Sequence, residues 1–298
     1  STGFFGCIKC IQKGISVHTD KGGTTRVFTY QKDNPDGPLR TDSLYEEDLQ
    51  LQLQQNNKNI NTRDVKGTTI LNHLKFFEPM SGTCIDYMHS ILEGVVKNLI
   101  SYWFDIKHSN KSYSIRPYMN LVNQRLLSIK PPKFVNSPPR SIYCVNIWRA
   151  HELFHFIIYY SLPVLHGILN ELCFYNLKKL VIFLECILCK NIKKNTINNM
   201  QELIKLFVEE SNKIYSDSFM LSGVHELLHL TGCIQYFGHL NSINCFQFEE
   251  LNKQLLSFVH GYDLIGEEII KIFTMAQYIG SVQKIKKKKI NDFINEYI

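Results

Sequence analysis

"SGVHELLHL" (222–230) places His225 and His229 four residues apart, within one turn of what reads as a helix. On a helical wheel Val224, Leu227, Leu228 and Thr231 gather on one face, and the two histidines share an adjoining face at its edge. Either the pair flanks a core, or it is half of a metal site whose other half comes from elsewhere in the chain. In the second case the fold must carry a distant segment to this helix. The same residues also fit H-E-x-x-H, in which two histidines hold zinc and the glutamate between them, here Glu226, activates a metal-bound water. A zinc peptidase of that kind needs a third ligand downstream, and Glu249 or Glu250 could supply it.

Working outward, "CFQFEELNKQLLSF" (245–258) puts Phe248, Leu251, Leu255 and Phe258 on one helical face, with Glu249 beside it. At the other end, "GFFGCIKCIQKG" (3–14) holds Cys7 and Cys10 between glycines, a knuckle in which both thiolates can face one ion. Cys186 and Cys189 share the C-x-x-C spacing, but in "LVIFLECILCK" (180–190) they read as small thiols packed in an apolar helix. The nine cysteines are odd in number and scattered from Cys7 to Cys245, which argues against a secreted disulfide framework and for a reducing compartment.

Between these ends the pattern is helical. "IDYMHSILEGVVKNLISYWF" (85–104), "RPYMNLVNQRLLSI" (116–129), "NIWRAHELFHFIIYYSL" (146–162), "FYNLKKLVIFLECILCK" (174–190) and "NTINNMQELIKLFVEESNKIY" (195–215) all carry apolar residues at helical period. A polar helix is expected from Ser43, with Glu46 completing a capping box. "LFHFIIYYSLPVLHGIL" (153–169) contains Pro163 and Gly167 and reads as a buried helix followed by a turn, not as a membrane span. Residues 1–40 read as irregular or β, with strand composition in "TTRVFTY" (24–30), between Gly22-Gly23 and the "NPDGP" turn (34–38). "KPPKFVNSPPR" (130–140) is a proline-rich crossover. Asp86 and His89 lie three apart at the start of the 85–104 helix, where the dipole favours an acid in any case.

With 298 residues, 44% of them hydrophobic, the chain can bury a core or two, and a mostly disordered chain is excluded. The net charge of +6 permits an acidic partner without requiring one. Five lysines within 284–289 form either a solvated helix face or a nuclear-import or nucleic-acid patch.

Taken in order, "GFFGCIKCIQKG", "RTDS" (40–43), "IDYMHSILEGVVKNLISYWF", "WRAHELFHFIIYYSLPVL" (148–165), "VHELLHL" and "CFQFEELN" resemble CACTA-type (En/Spm-like) DDE transposases of animal genomes. More distantly they resemble the catalytic subunit of the V(D)J recombinase. The resemblance spans roughly residues 3–260, and it rests on the ordered set rather than on any one motif. It implies a ribonuclease-H-like core whose two aspartates and one glutamate hold two divalent metals, interrupted by a long helical insertion. It also implies one structural zinc, bound by a Cys pair ahead of the insertion and a His pair near its end. Carried over, Cys7, Cys10, His225 and His229 would hold the zinc, and Glu249 would be the catalytic acid and a ligand of Mg or Mn. Asp86 and His89 match a D-x-M-H signature with no assigned role.

In such proteins both aspartates precede the Cys pair, and only six residues stand before Cys7 here, none of them aspartate. The expectation is therefore the insertion plus the glutamate-bearing end, inactive alone: a fragment or domesticated remnant of a nuclear DNA transposase. The fold class expected is mainly α. A zinc-knuckle and β segment would cover 1–42, the helical insertion domain 43–240, and C-terminal helices with Glu249 and a basic tail 241–298. The partners implied are DNA at transposon ends and target DNA, with a homodimer compatible and no membrane. The rival readings are a non-catalytic DNA- or protein-binding module derived from a transposase, and the zinc peptidase.

Overall fold

The structure is a computed structural model that describes residues 3–19, 22–54, 62–133, 135, 138–257, 265–275 and 277–279. Of the described residues, 62% are helical and 4% are in strands, so the fold is mainly helical, in line with the helical periodicity of the sequence. The chain divides into two compact units, Ser1–Asn244 and Cys245–Ile298. The lysine run 284–289 lies outside the described residues. No helix among the described residues is long and apolar enough to cross a membrane.

The first unit opens with the Cys7–Cys10 knuckle and a two-stranded antiparallel ribbon. Strand β1 (Ile15–His18) pairs with β2 (Thr24–Val27), Ile15 opposite Val27 and His18 opposite Thr24. The strand character read over 24–30 is used differently beyond Val27. Phe28 donates its N–H to Met220 O (2.8 Å would be ordinary; here 2.6 Å), and Tyr30 N–H reaches Asn212 Oδ1 at 3.0 Å. The strand thus leaves its own ribbon and is hydrogen-bonded to helical segments far away in sequence.

Helix α1 (Asp42–Gln54) begins one residue before the expected Ser43. Thr41 Oγ1 accepts from Leu44 N–H (3.1 Å), and the Asp42 carboxylate accepts from the N–H groups of Met80 and Ser81 (2.7 and 3.1 Å). Glu46 is not in a capping box; it accepts from Gln50 Nε2 at 2.7 Å. Tertiary partners for Asp42 therefore set the helix start. Arg40, just ahead, donates from Nη2 to the carbonyls of Phe5 and Arg63, each at 3.1 Å. The "RTDS" stretch is thus a structural node joining the knuckle, α1 and residues 63–81.

The 85–104 segment is a π-helix over Met88–Val96 that becomes α2 (Lys97–Phe104). The wider π turn lets Met88, Ile91, Leu92, Val95 and Val96 all be buried. After α3 (Met119–Ser128), the next long apolar stretch repeats the device: α4 (Ala150–His155), a π turn over Phe156–Tyr160, then α5 (Ser161–Leu165). Here the reason is local. Pro163 has no N–H to return to the carbonyl four residues earlier, and the turn before it widens, with Ser161 N–H bonding Phe156 O. The helix runs through Pro163 instead of stopping there, and the turn comes at Gly167 with φ +69°.

α6 (Glu171–Ile187) and α7 (Lys194–Tyr215) form the central antiparallel pair. Asn176 is fully buried between them and fully used: Nδ2 donates to Phe207 O (3.0 Å) and Glu210 Oε2 (3.2 Å), and Oδ1 accepts from Ser211 Oγ (3.1 Å). A satisfied buried amide fixes the register of two helices that apolar packing alone would leave free to slide. The core-packing expectation for the second C-x-x-C fails: Cys186 is half-buried, and Cys189, beyond the end of α6, is exposed. The unit ends with α8 (Ser222–Glu226), a tight 3₁₀ turn (Leu227–His229) and α9 (Leu230–Phe237), stopped by Gly238 at φ +84°.

The second unit contains α10 (Phe246–Ser257) and a helical stretch at 265–275. No residue of α10 is buried, and Phe248, Leu251 and Leu256 of the expected apolar helix are exposed. Phe258, expected to continue that face, lies outside the described residues.

Candidate metal centre

The knuckle is shaped by its backbone. Lys9 N–H points at Cys7 Sγ (3.4 Å) and Gln12 N–H at Cys10 Sγ (3.5 Å), the pattern that stabilises thiolates turned inward. The chain returning after the "NPDGP" turn holds the knuckle from below: Cys10 bridges Leu39, Ile11 N–H bonds Pro38 O (2.8 Å), and Arg40 N–H bonds Lys9 O (2.9 Å). Gly37 has φ +66°, and a Cβ there would lie 3.0 Å from Cys10 Sγ. Both the backbone region and the sulfur call for glycine.

The opposite wall is α8 and the 3₁₀ turn. His225 and His229 are both buried, as are Cys7 and Cys10. Phe28, on the chain leaving β2, stacks on the His225 ring at 5.3 Å between centroids. Gln201 of α7 donates to Leu228 O (3.0 Å) and to Asp36 Oδ1 (2.8 Å) and accepts from Thr231 Oγ1, tying the His turn to the loop beneath the knuckle.

These walls bring one ligand atom from each of Cys7, Cys10, His225 and His229 within 4.8 Å of one another. Cys10 Sγ is 3.1 Å from His225 Nε2, which is 3.2 Å from His229 Nε2. With zinc bonds of about 2.0–2.1 Å to nitrogen and about 2.3 Å to sulfur, tetrahedral edges are about 3.3 Å between nitrogens and about 3.5 Å between nitrogen and sulfur. The two distances fall within a few tenths of an ångström of those edges. The donor set, two thiolates and two imidazoles, is one that zinc takes in closed structural sites. The thiols are unequal: the hydrogen bond to Cys10, followed by burial, pushes Cys7 up, while Cys10 is pulled down by that same hydrogen bond from Cys7.

Glu226, between the histidines, is held on the other side. Its carboxylate accepts from Ser90 Oγ of the π-helix, and burial raises it above the usual carboxylate range. Close packing at Gly223 makes this contact possible; a Cβ there would lie 2.5 Å from Ser90 O. Next to Ser90, Asp86 Oδ2 accepts from His89 Nδ1 (2.6 Å) and from its backbone N–H (3.0 Å), so the two residues of the D-x-M-H signature pair with each other at the helix start.

Glu249 lies in the first turn of α10 and is exposed. Among the described residues, no cluster of three or more His, Cys, Asp or Glu side chains able to hold a metal includes Glu249. Glu250 is exposed as well.

Sequence reasoning found the four converging residues but none of their supports. Ser90, Phe28 and Gln201 carry no local signal, because each acts on a residue remote in sequence. Gly37 was legible only as part of a turn. No protein-family model, curated protein or solved structure matches the chain.

Proposed function

We propose that Cys7, Cys10, His225 and His229 hold one structural zinc, and that the chain is the helical insertion and glutamate-bearing end of a CACTA-type DDE transposase. The observation that carries the proposal is the convergence of a knuckle and a histidine pair from opposite ends of a 244-residue unit. The ordered motifs anticipate that pairing, whereas a core function for the histidines would not call for two buried thiols beside them.

In this reading the zinc draws the ends of the insertion together, so that the chain entering and leaving it can join a ribonuclease-H-like core. Glu249, just after the second closure point, would be one of three carboxylates holding two Mg²⁺ or Mn²⁺ ions for strand cleavage and transfer on DNA in the nucleus. The peptidase alternative has less support. Both thiols occupy the positions that a reactive water and a third ligand would need, and Glu226, its general base, is engaged by Ser90. A non-catalytic binding module derived from a transposase would share the zinc but not the role of Glu249.

The test is nicking of supercoiled plasmid in Mg²⁺ or Mn²⁺. Residues 1–298 alone, with one of the three carboxylates, are expected not to nick. A chain that also carries the two aspartates ahead of the knuckle is expected to nick and to lose that activity on Glu249→Gln. Cleavage by residues 1–298 alone, or cleavage indifferent to Glu249→Gln, would overturn the catalytic assignment.

A further inference from the structure

Two cavities adjoin where α7 meets α9. The larger, a cleft of about 750 Å³, opens beside the His turn, and Lys9, Tyr236 and Phe237 are among the residues that line it. The smaller, of about 510 Å³, is lined by Lys190, Lys194 and His239 among others, and no aspartate or glutamate among the described residues lines it. Ile197 of α7 and Gln235 of α9 line both, so the two form one groove. Its lysines come from the connection of α6 to α7. Lys190, Lys193 and Lys194 are exposed, none has an ion-pair partner among the described residues, and the first turn of α7 carries no acid. By contrast, Lys179, Lys205 and Lys213 each face a carboxylate, at 2.8, 3.4 and 2.6 Å.

We infer that this groove binds single-stranded nucleic acid, with phosphates over Lys190, Lys193 and Lys194 and a base against Tyr236. Uncompensated lysines along a concave surface attract a polyanion, because low-dielectric walls concentrate their field. Charge alone would draw an acidic peptide equally, and the aromatic end is what favours a nucleic acid. Tyr236 is 64% exposed, although a ring of that size is ordinarily covered. It meets Phe237 in a T-shaped contact at 4.9 Å between centroids, so Phe237 does not cover it face to face. In a duplex the bases cover one another's faces, so an open ring gains a stacking partner only from a single strand. The side chains of Asn198 and Gln235 line the same cleft, make no hydrogen bond among the described residues, and can pair with base edges.

The two acids of the larger cleft are already engaged. Asp36 accepts from Gln201 Nε2 at 2.8 Å and lies 3.7 Å from Lys205 Nζ, and Asp42 accepts from the N–H groups of Met80 and Ser81. Lys9, whose Nζ donates to Met80 O at 2.8 Å, adds a further cation to the wall. Each cavity is within the roughly 300–1,000 Å³ that encloses a drug-sized molecule, which is also the size of a nucleotide. A strand running from the lysines to Tyr236 would occupy both.

The experiment is fluorescence anisotropy of a fluorescein-labelled oligothymidylate of about 12 nucleotides, titrated with the full chain between about 50 and 200 mM salt. The parent chain is expected to bind it, more weakly as salt rises. Lys190→Ala/Lys193→Ala/Lys194→Ala should lower the slope of log affinity against log salt by about 2, at about 0.7 for each phosphate contact. Tyr236→Ala should weaken binding about 10-fold at unchanged slope, and Tyr236→Phe, which keeps the ring, should bind like the parent. All four side chains are exposed, so the variants are expected to fold, which circular dichroism checks. Absence of binding by the parent chain would overturn the proposal. Binding that either set of alanine substitutions leaves unchanged would also overturn it, placing the strand elsewhere, the lysine run 284–289 included. So would a duplex of the same length bound as tightly and indifferent to Tyr236→Ala, or a labelled polyglutamate bound as tightly as the oligothymidylate. None of these outcomes bears on nicking, whose loss on Glu249→Gln tests the transposase reading separately.

Discussion

Cys10 Sγ lies 3.1 Å from His225 Nε2 although 215 residues separate them in sequence. The entropic cost of closing so long a loop grows only with the logarithm of its length, and zinc binding of about 10 kcal/mol or more can offset it. The helical core between the two points shares the task, because Gln201 of α7 donates both to Asp36 Oδ1 and to Leu228 O, one on each side of the closure.

Metal analysis of the purified chain should find about one zinc per molecule, as a closed four-ligand site requires. Cys7→Ser and His229→Ala should each lose it, and both should raise hydrogen exchange over the knuckle and over α8 together. Zinc that remains stoichiometric in Cys7→Ser/Cys10→Ser but vanishes in His225→Ala would falsify the clamp and return "HELLH" to the peptidase reading.

Two glycines nine residues apart, Gly223 and Gly232, should respond in opposite directions. Gly223→Ala drives a methyl to 2.5 Å from Ser90 O, a backbone atom that cannot yield without moving the π-helix. The expected cost is about 1–3 kcal/mol in chemical denaturation, with weaker zinc retention because His225 is on the same short helix. Gly232→Ala, in α9, meets nothing within 4 Å. It should be neutral or stabilising by up to about 1 kcal/mol. Equal effects from the two would show that the α8 contact is not close.

Trp103 Nε1–H donates to Tyr215 Oη at 3.1 Å, joining α2 to the end of α7 where neither ring reaches water. Tyr215→Phe keeps the ring and strands the indole N–H. The expected loss is about 1–3 kcal/mol of unfolding free energy, larger than that of Trp103→Phe/Tyr215→Phe once the cavity left by the smaller ring is allowed for. A Tyr215→Phe chain as stable as the parent would mean that the hydrogen bond has a replacement partner.

Alkaline titration should separate the tyrosines. Burial, aided by the Asp86 charge, pushes Tyr87 up to about 12, and burial followed by Tyr102 does the same for Tyr113. Each folded value lies above the ordinary 10.0, so the folded state holds its proton longer than the unfolded chain does. Their stabilising contribution is full below about pH 10 and is lost as pH rises toward about 12. Tyrosinate absorbance should show these two ionising after the exposed tyrosines, with unfolding midpoints falling over that window. Loss of Tyr87→Phe's and Tyr113→Phe's relative advantage in this pH range would contradict the assignment.

Much of this protein was legible in one dimension. Apolar residues at helical period marked α2, α3, α6 and α7, because a helix that buries one face must repeat it every three to four residues. Cys7 and Cys10, His225 and His229 were visible as pairs, because the spacing that lets two side chains face one ion is local. What the sequence could not express was anything set by a remote partner. Asp42 begins α1 because Met80 and Ser81 need its carboxylate. The 85–104 helix widens where Gly223 packs against Ser90, a contact made only in the folded chain. Periodicity and pair spacing are properties of neighbours along the chain. Which pair faces which, and which turn is strained to allow it, is decided by packing, and packing exists only in three dimensions.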